Sequence, residues 1–172
     1  SLPYLPFLEE QFENFDAPKE LLAIAFVESS FNLKARSYAG AAGIWQFMPR
    51  TAAYFMTKRN KYIDYRMNPI ISTISALHLL KQNKMILKRW DLAIPAYNFG
   101  TSHLVKARKR IGKGITLAKV LKQYEHDAVG FASKNYYAEV LAMARVLAYK
   151  DAIFPLAGYQ KKGLKFKKEN LS

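Results

Sequence analysis

The apolar run Leu21-Leu22-Ala23-Ile24-Ala25-Phe26-Val27 ends on a carboxylate, Glu28, and this junction constrains the chain more than any other stretch. Wound as a helix, the run stacks Glu28 over Ile24 and Ala25 one turn back, and over Leu21 two turns back. That stripe is a core face, so its last member is expected to be at least partly buried. A carboxylate is seldom buried without a partner or a task. Burial penalises the ionised form and raises the pKa, which suits a general acid working near neutral pH. The alternative is a helix that ends at the surface there, or a Glu28 paired with a Lys or Arg. Position alone leaves both open.

Nearly every other periodic segment also reads as helix. Asp16 is placed to cap a helix with Pro18 in its first turn and Lys19 to Ser29 behind it. Tyr38 to Gly43 is small and glycine-containing, a loop. Pro49 opens a short helix to Phe55. Asn68-Pro69 is a second cap signal, and the helix it predicts, Ile70 to Leu87, carries a stripe of Ile70, Ile74, Leu77, Leu80 and Met85. Trp90 to Tyr97 is a short helix containing Pro95. Thr101 or Ser102 caps the next, to about Arg110, and Ile111-Gly112-Lys113-Gly114 breaks it. Thr116 to Tyr124 follows, and Ser133 caps a last helix from Lys134 to Ala148. There is no hairpin signal, repeat or low-complexity block. The pattern predicts an all-α domain of several short helices, but does not by itself distinguish one irregular helical bundle from another.

Composition narrows the class. The 172 residues suffice for one compact domain, and a chain that is 51% hydrophobic and 14% aromatic is not disordered. No apolar run approaches the roughly 20 residues that span a bilayer. Ser1 stands where an initiator Met would, so the chain reads as processed or trimmed, with any export signal already removed. The absence of cysteine excludes disulfides, thiol catalysis and thiolate ligands for zinc. His78, His103 and His126 are scattered without metal-ligand spacing, and no phosphate loop or nucleophile elbow is present, so neither metal nor cofactor is expected.

Net charge is +14, from 27 Lys and Arg against 13 Asp and Glu, and such a surface favours polyanions. The basic residues gather at Lys106, Arg108, Lys109, Arg110 and Lys113, and again at Lys161, Lys162, Lys165, Lys167 and Lys168. Each cluster also reads as a solvated face or a soluble tail. Basic charge gives mostly sequence-independent affinity, so no specific nucleic-acid partner is expected.

After Glu28 the chain continues Ser29-Ser30-Phe31-Asn32, then Ala35-Arg36-Ser37, Ala41-Ala42-Gly43-Ile44-Trp45-Gln46-Phe47-Met48-Pro49 and Thr51, and much later Ala96-Tyr97-Asn98-Phe99-Gly100. In this order and spacing the segments resemble the catalytic domain of family 1 lytic transglycosylases. Within that family they are similar to the murein transglycosylase D type, whose middle block also reads Ala-Ala-Gly-Ile-Trp-Gln. The resemblance covers about residues 15 to 148 and implies a lysozyme-like fold with a glycan-binding cleft. It divides the chain into an N-terminal extension (1–14), a catalytic domain (15–155) and a basic tail (156–172). The extension is expected to fold back through Tyr4, Phe7 and Phe12.

The resemblance also implies chemistry. The family cleaves between N-acetylmuramic acid and N-acetylglucosamine in peptidoglycan. Glu28 matches the glutamate that protonates the leaving oxygen and then deprotonates the sugar's C6 hydroxyl, closing a 1,6-anhydro ring. One carboxyl group then suffices, and residues 29 to 51 contain no Asp or Glu. Ser37 and Gln46 match substrate-binding positions, and Phe47 and Met48 match cleft-lining ones. Tyr97 matches a tyrosine that reaches the glutamate, while Asn98 shapes the following turn or faces the cleft. Tyr136 matches a late tyrosine near the glutamate, with Tyr137 as the rival register. Two departures stand out: Ala132 where many members carry an acid, and Tyr38 where close relatives can have Gly. The runner-up readings are a lysozyme-type hydrolase on the same fold and a non-catalytic glycan-binding module. The implied partners are peptidoglycan strands and the anionic wall surface, and the implied location is the periplasm or cell envelope.

Overall fold

The computed structural model describes residues 4–56, 62–124 and 131–149, without the side chains of 131–133. The basic tail, the boundary near residue 155, His126 and the side chain of Ala132 lie outside what is described. Among the described residues the chain forms α1 (Leu5–Asn14), α2 (Ala23–Ser29), α3 (Pro49–Phe55), α4 (Pro69–Leu87), α5 (Trp90–Phe99), α6 (Thr101–Ile111), α7 (Leu117–Gln123) and α8 (Phe131–Ala148). Isolated antiparallel bridges pair Arg36 with Ala42 and Ala42 with Phe47 in the loop between α2 and α3. The fold is all-α, as the pattern predicts.

α1 belongs to the main core. Its Leu8 and Phe12 are fully buried, and Tyr4 and Phe7 pack at the edge. Asp16 does not start the next helix; it ends this one. Its backbone is left-handed (φ 48°), its N–H donates to Glu13 O, and the Ala17 N–H donates to Phe12 O. This double closure needs a residue that tolerates a left-handed backbone, and Asp is among the few that do. The following segment then opens as a 3-10 turn, Lys19–Leu22, before α2 proper.

Asn68 caps α4 as expected, its Oδ1 accepting from the Ile70 and Ile71 N–H groups at 3.0 Å each. The buried face differs from the expected stripe. Met85 is exposed and Ile70 and Ile74 are half-buried, while Ser72, Thr73, Ser75 and Asn83 join Ala76, Leu77, Leu80 and Leu87 inside. Those polar side chains are buried because they are hydrogen-bonded. Ser75 Oγ donates to backbone carbonyls of Ile71 and Phe55, and Asn83 accepts from the Thr101 hydroxyl. Thr101 therefore turns inward, and neither it nor Ser102 caps α6, whose N-cap is Gly100. Pro95 lies inside α5 without stopping it, and the helix runs past Tyr97 to Phe99. Thr116 caps α7 through the Lys119 N–H. α8 begins at Phe131, so Ser133 lies within the helix and does not cap it.

Two cores result. One joins α1, α2, the Trp45 segment, the middle of α4 and α8; the other joins the end of α4 to α5, α6 and α7. Tyr137 packs against both. Among the described residues, no helix is long and apolar enough to cross a membrane.

Candidate active site

Glu28 stands in the last turn of α2, and the backbone turns sharply behind it. Ser30 and Phe31 both take left-handed conformations, φ 50° and 60°. Such geometry costs about 1–3 kcal/mol per non-glycine residue and persists only where surroundings enforce it. Here Phe31 is buried with its ring 5.0 Å from that of Phe26, and the Ser29 hydroxyl lies 3.0 Å from Ile44 O, tying the helix end to the next loop. From α8, the Tyr136 hydroxyl donates to Glu28 Oε1 at 2.7 Å. Burial pushes the Glu28 carboxyl up to about 7, against the opposing pull of the Tyr136 hydrogen bond. The acid is thus held in the protonation balance that general acid–base work needs near neutrality.

The loop beside it is a compact scaffold. Ser37 N–H donates to Ala41 O, and Ser37 Oγ accepts from the Ala41 N–H at 3.0 Å. Ala42 and Phe47 exchange both backbone hydrogen bonds at 3.1 Å. Gln46 is left-handed (φ 45°) and its Nε2 donates to Gly43 O at 2.8 Å. Gly43 also has positive φ, 77°, and the space a Cβ would need is filled: it would lie 1.8 Å from Arg66 O. Trp45 is fully buried, donates from Nε1 to the Thr73 hydroxyl at 2.8 Å, and accepts at its carbonyl oxygen from the Tyr97 hydroxyl at 2.8 Å.

Arg66 holds this loop from beneath. It is buried, and Nη1 donates to Gly40 O at 2.7 Å and to Phe47 O at 3.0 Å. Nε and Nη2 grip the Asp64 carboxylate at 2.9 and 2.8 Å. The Arg66 hydrogen bonds hold the Asp64 carboxyl below its ordinary range. A buried guanidinium needs this pairing, and its planar fork serves two segments at once.

The fold brings Glu28 and Tyr136 into direct contact. Of the two rival tyrosines, Tyr136 faces the acid. Tyr97 is near enough for the Glu28 charge, after burial, to help raise its phenol well above the ordinary value, but its hydroxyl is given to Trp45 O. Ser37 is exposed, as is Asn98, and Gln46 is half-buried. Met48 is 42% exposed and accessible. Phe47 is a correction: at 2% exposure, with its ring 6.2 Å from Tyr97, it is floor to the site and presents no surface to a sugar. Sequence reasoning did not single out Thr73, Ser29, Asp64 or Arg66. Their importance lies in contacts across 15 to 28 positions of chain, which no local pattern reports. Among the described residues, no group of three His, Asp or Glu could hold a metal ion.

Tyr136→Phe is expected to raise the Glu28 pKa further above 7, because the lost hydroxyl stabilises the ionised form. Carbon-detected NMR titration of the Glu28 carboxyl checks the direction.

The comparisons agree with this architecture. The solved structure of the 70-kDa soluble lytic transglycosylase in complex with bulgecin A aligns at a TM-score of 0.70 over 95% of this chain and 26% of that one, at 19% identity. Escherichia coli Slt70 aligns at 0.66 over 94% and 26%, at 20% identity. The fold is therefore the lysozyme-like fold of the soluble lytic transglycosylases. The family profile described as the Transglycosylase SLT domain matches residues 6–120, and the chain belongs to that family. It is 32% identical over 149 residues to membrane-bound lytic murein transglycosylase D of Escherichia coli K12, covering 84% of this chain and 31% of the relative. It is also 34% identical over 110 residues to a putative tributyltin chloride resistance protein of Alteromonas sp. strain M-1. The chain thus spans about a third of the length of the murein transglycosylase it matches.

Proposed function

We propose that this domain is a peptidoglycan lytic transglycosylase with Glu28 as its single acid–base group. The observation that carries the reading is the Glu28–Tyr136 contact: a carboxyl raised to about 7 by burial and oriented by a hydroxyl 2.7 Å away. Protonated Glu28 gives its proton to the glycosidic oxygen between N-acetylmuramic acid and N-acetylglucosamine, and the C1–O bond breaks. The carboxylate left behind takes the proton of the C6 hydroxyl, and O6 bonds to C1. Glu28 ends reprotonated and no water is consumed. Tyr136 donates to the carboxylate when it forms, and so supports the second half of the cycle.

Ser37 and Gln46 serve the substrate in this reading. The Ser37 oxygen already accepts from Ala41, which leaves its O–H to donate to a sugar oxygen. Gln46 Nε2 is committed to the loop, so its carbonyl end is the one that meets an N-acetyl N–H. The exposed cations Lys106, Lys109, Arg110 and Lys113 fit retention on the anionic wall, and the cell envelope is the matching location.

Mass spectrometry of the products released from purified sacculi tests the proposal. Anhydro-muramic ends, lighter by one water than reducing ends, are expected. Reducing ends alone would replace it with the hydrolase reading, and binding without release of any ends would leave a glycan-binding module.

A further inference from the structure

The positive charge of this chain is not spread evenly. Residues 1–64 carry seven Lys and Arg against seven Asp and Glu, while residues 65–124 carry twelve against one. That one acid, Asp91, is gripped by Arg89 at 2.8 and 2.9 Å. From Leu92 to Tyr124, through α5, α6 and α7, there is no carboxylate side chain at all.

The fold draws these cations together. Lys106, Lys109 and Arg110 stand at i, i+3 and i+4 on α6, exposed and turned away from the fully buried Leu104 and Ala107. Arg108 reaches back to the end of α4, where its Nη1 donates to Ile86 O at 2.9 Å, and in the same turn Lys84 Nζ donates to Lys88 O at 3.1 Å. Lys119 of α7 donates to Gly114 O at 3.0 Å, which sets it beside the turn that exposes Lys113. Helix ends attract cations, and these three do serve backbone carbonyls. The C-termini of α4 and α6, however, supply only about half a negative charge each. Lys88, Lys106, Lys109, Arg110, Lys113 and Lys122 are all exposed, and among the described residues none of them forms an ion pair. Like charges one turn apart repel, so α6 gains no stability from carrying them.

We propose that the end of α4, α6 and the turn into α7 form a docking face for anionic phospholipid headgroups, by which the domain sits on a bilayer surface. Attraction to a diffuse anionic wall needs only net charge, wherever it lies. A bilayer presents its negative charge in a plane, and favours cations gathered on one face from several elements, as these are. Val105, Ile111 and Leu121, half-buried next to Lys106, Arg110 and Lys122 in the chain, add apolar surface between the charges. The contact is peripheral, because the apolar side of α6 is already packed in the core.

Co-sedimentation of the full chain at low salt with vesicles of equal parts phosphatidylglycerol and phosphatidylcholine, against phosphatidylcholine alone, tests this. Binding is expected to the anionic vesicles only. Lys106→Gln, Lys109→Gln, Arg110→Gln and Lys113→Gln together are expected to weaken it about fivefold per cation, roughly 100- to 1,000-fold for the four. All four side chains are exposed, so the variant should melt as the unmutated chain does. Changing Lys161, Lys162, Lys165 and Lys167 to Gln removes the same charge elsewhere, and is expected to weaken binding by under about 10-fold. Lys106→Arg, Lys109→Arg and Lys113→Arg together keep the charge and should keep the binding. Equal losses from the two Gln sets would mean that net charge alone is read, and would overturn the proposal. So would failure to bind anionic vesicles, or a loss on purified sacculi with none on vesicles, which would assign the face to the wall. Vesicle binding involves no glycan, so its outcome is independent of the catalytic reading.

Discussion

Glu28→Gln is expected to fold normally and, under the mechanism proposed above, to cut glycan more slowly by at least ~10²–10⁴-fold, the usual contribution of a general acid–base group, with the upper end expected where one group serves both halves of the cycle. The amide matches the carboxyl in shape but has no proton to give. Steady-state release of muropeptides measures the loss, and near-normal turnover by a folded variant would remove Glu28 from the mechanism. The same substitution has a signature in stability. The folded-state pKa of Glu28, about 7, lies above its ordinary value of 4.5. The folded state therefore binds the proton more tightly than the unfolded chain does. The stability this contributes is fully present below pH 4.5 and is lost as pH rises through about 7. Gln cannot ionise, so the variant should gain on the unmutated chain as pH rises across that window. Parallel thermal melts at pH 5 and pH 8 would show it, and an equal difference at both values would mean that Glu28 is not held by burial.

Gly43→Ala is expected to disable the site by a different route. The added Cβ would lie 1.8 Å from Arg66 O and 2.8 Å from Arg66 C, both backbone atoms that no side-chain rotation can move away. The φ of 77° adds strain for any L side chain. Together these cost roughly 2–5 kcal/mol and force the loop off the 64–66 segment. Ser37, Gln46 and the Trp45 carbonyl are all on that loop, so activity should fall by more than tenfold along with the melting temperature. Gly40→Ala is the control. Its φ is 89°, but nothing lies within 4 Å of the new Cβ, so only the backbone strain applies and the effect should be several-fold smaller. Equal damage from both changes would refute the close approach at Gly43 as the cause.

Local signals were legible where a residue's effect is confined to its neighbours in sequence. Asn68-Pro69 announced α4 because an Asn side chain can satisfy the helix's first free N–H groups without help from elsewhere. Pro49 and Thr116 marked α3 and α7 for similar reasons. The same rules misplaced Asp16 and Thr101. Both are good capping residues, and tertiary structure gave each another use: Asp16 closes the preceding helix, and Thr101 bonds to a buried Asn83. The stripe on α4 was misread because the buried face includes Ser72, Thr73, Ser75 and Asn83. Hydrophobic periodicity does not register polar residues that are buried with their partners.

The sequence by itself determined that this chain is helical, that without cysteine it has no thiol chemistry, and that a carboxylate closes an apolar helix face at Glu28. These follow from residue type and spacing along a single helix. Tertiary structure alone decided which group meets that carboxylate. Tyr136 and Tyr97 both come near Glu28, yet Tyr136 donates to it across 108 positions of chain while Tyr97 turns to Trp45 O. It also decided that Phe47 lies beneath the site and that Arg66 holds the loop above itself. The physical reason is that hydrogen-bond partnership and burial depend on which surfaces meet when α2, α8 and the 35–48 loop close on one another. Helix spacing sets which face a residue occupies, but not what stands opposite.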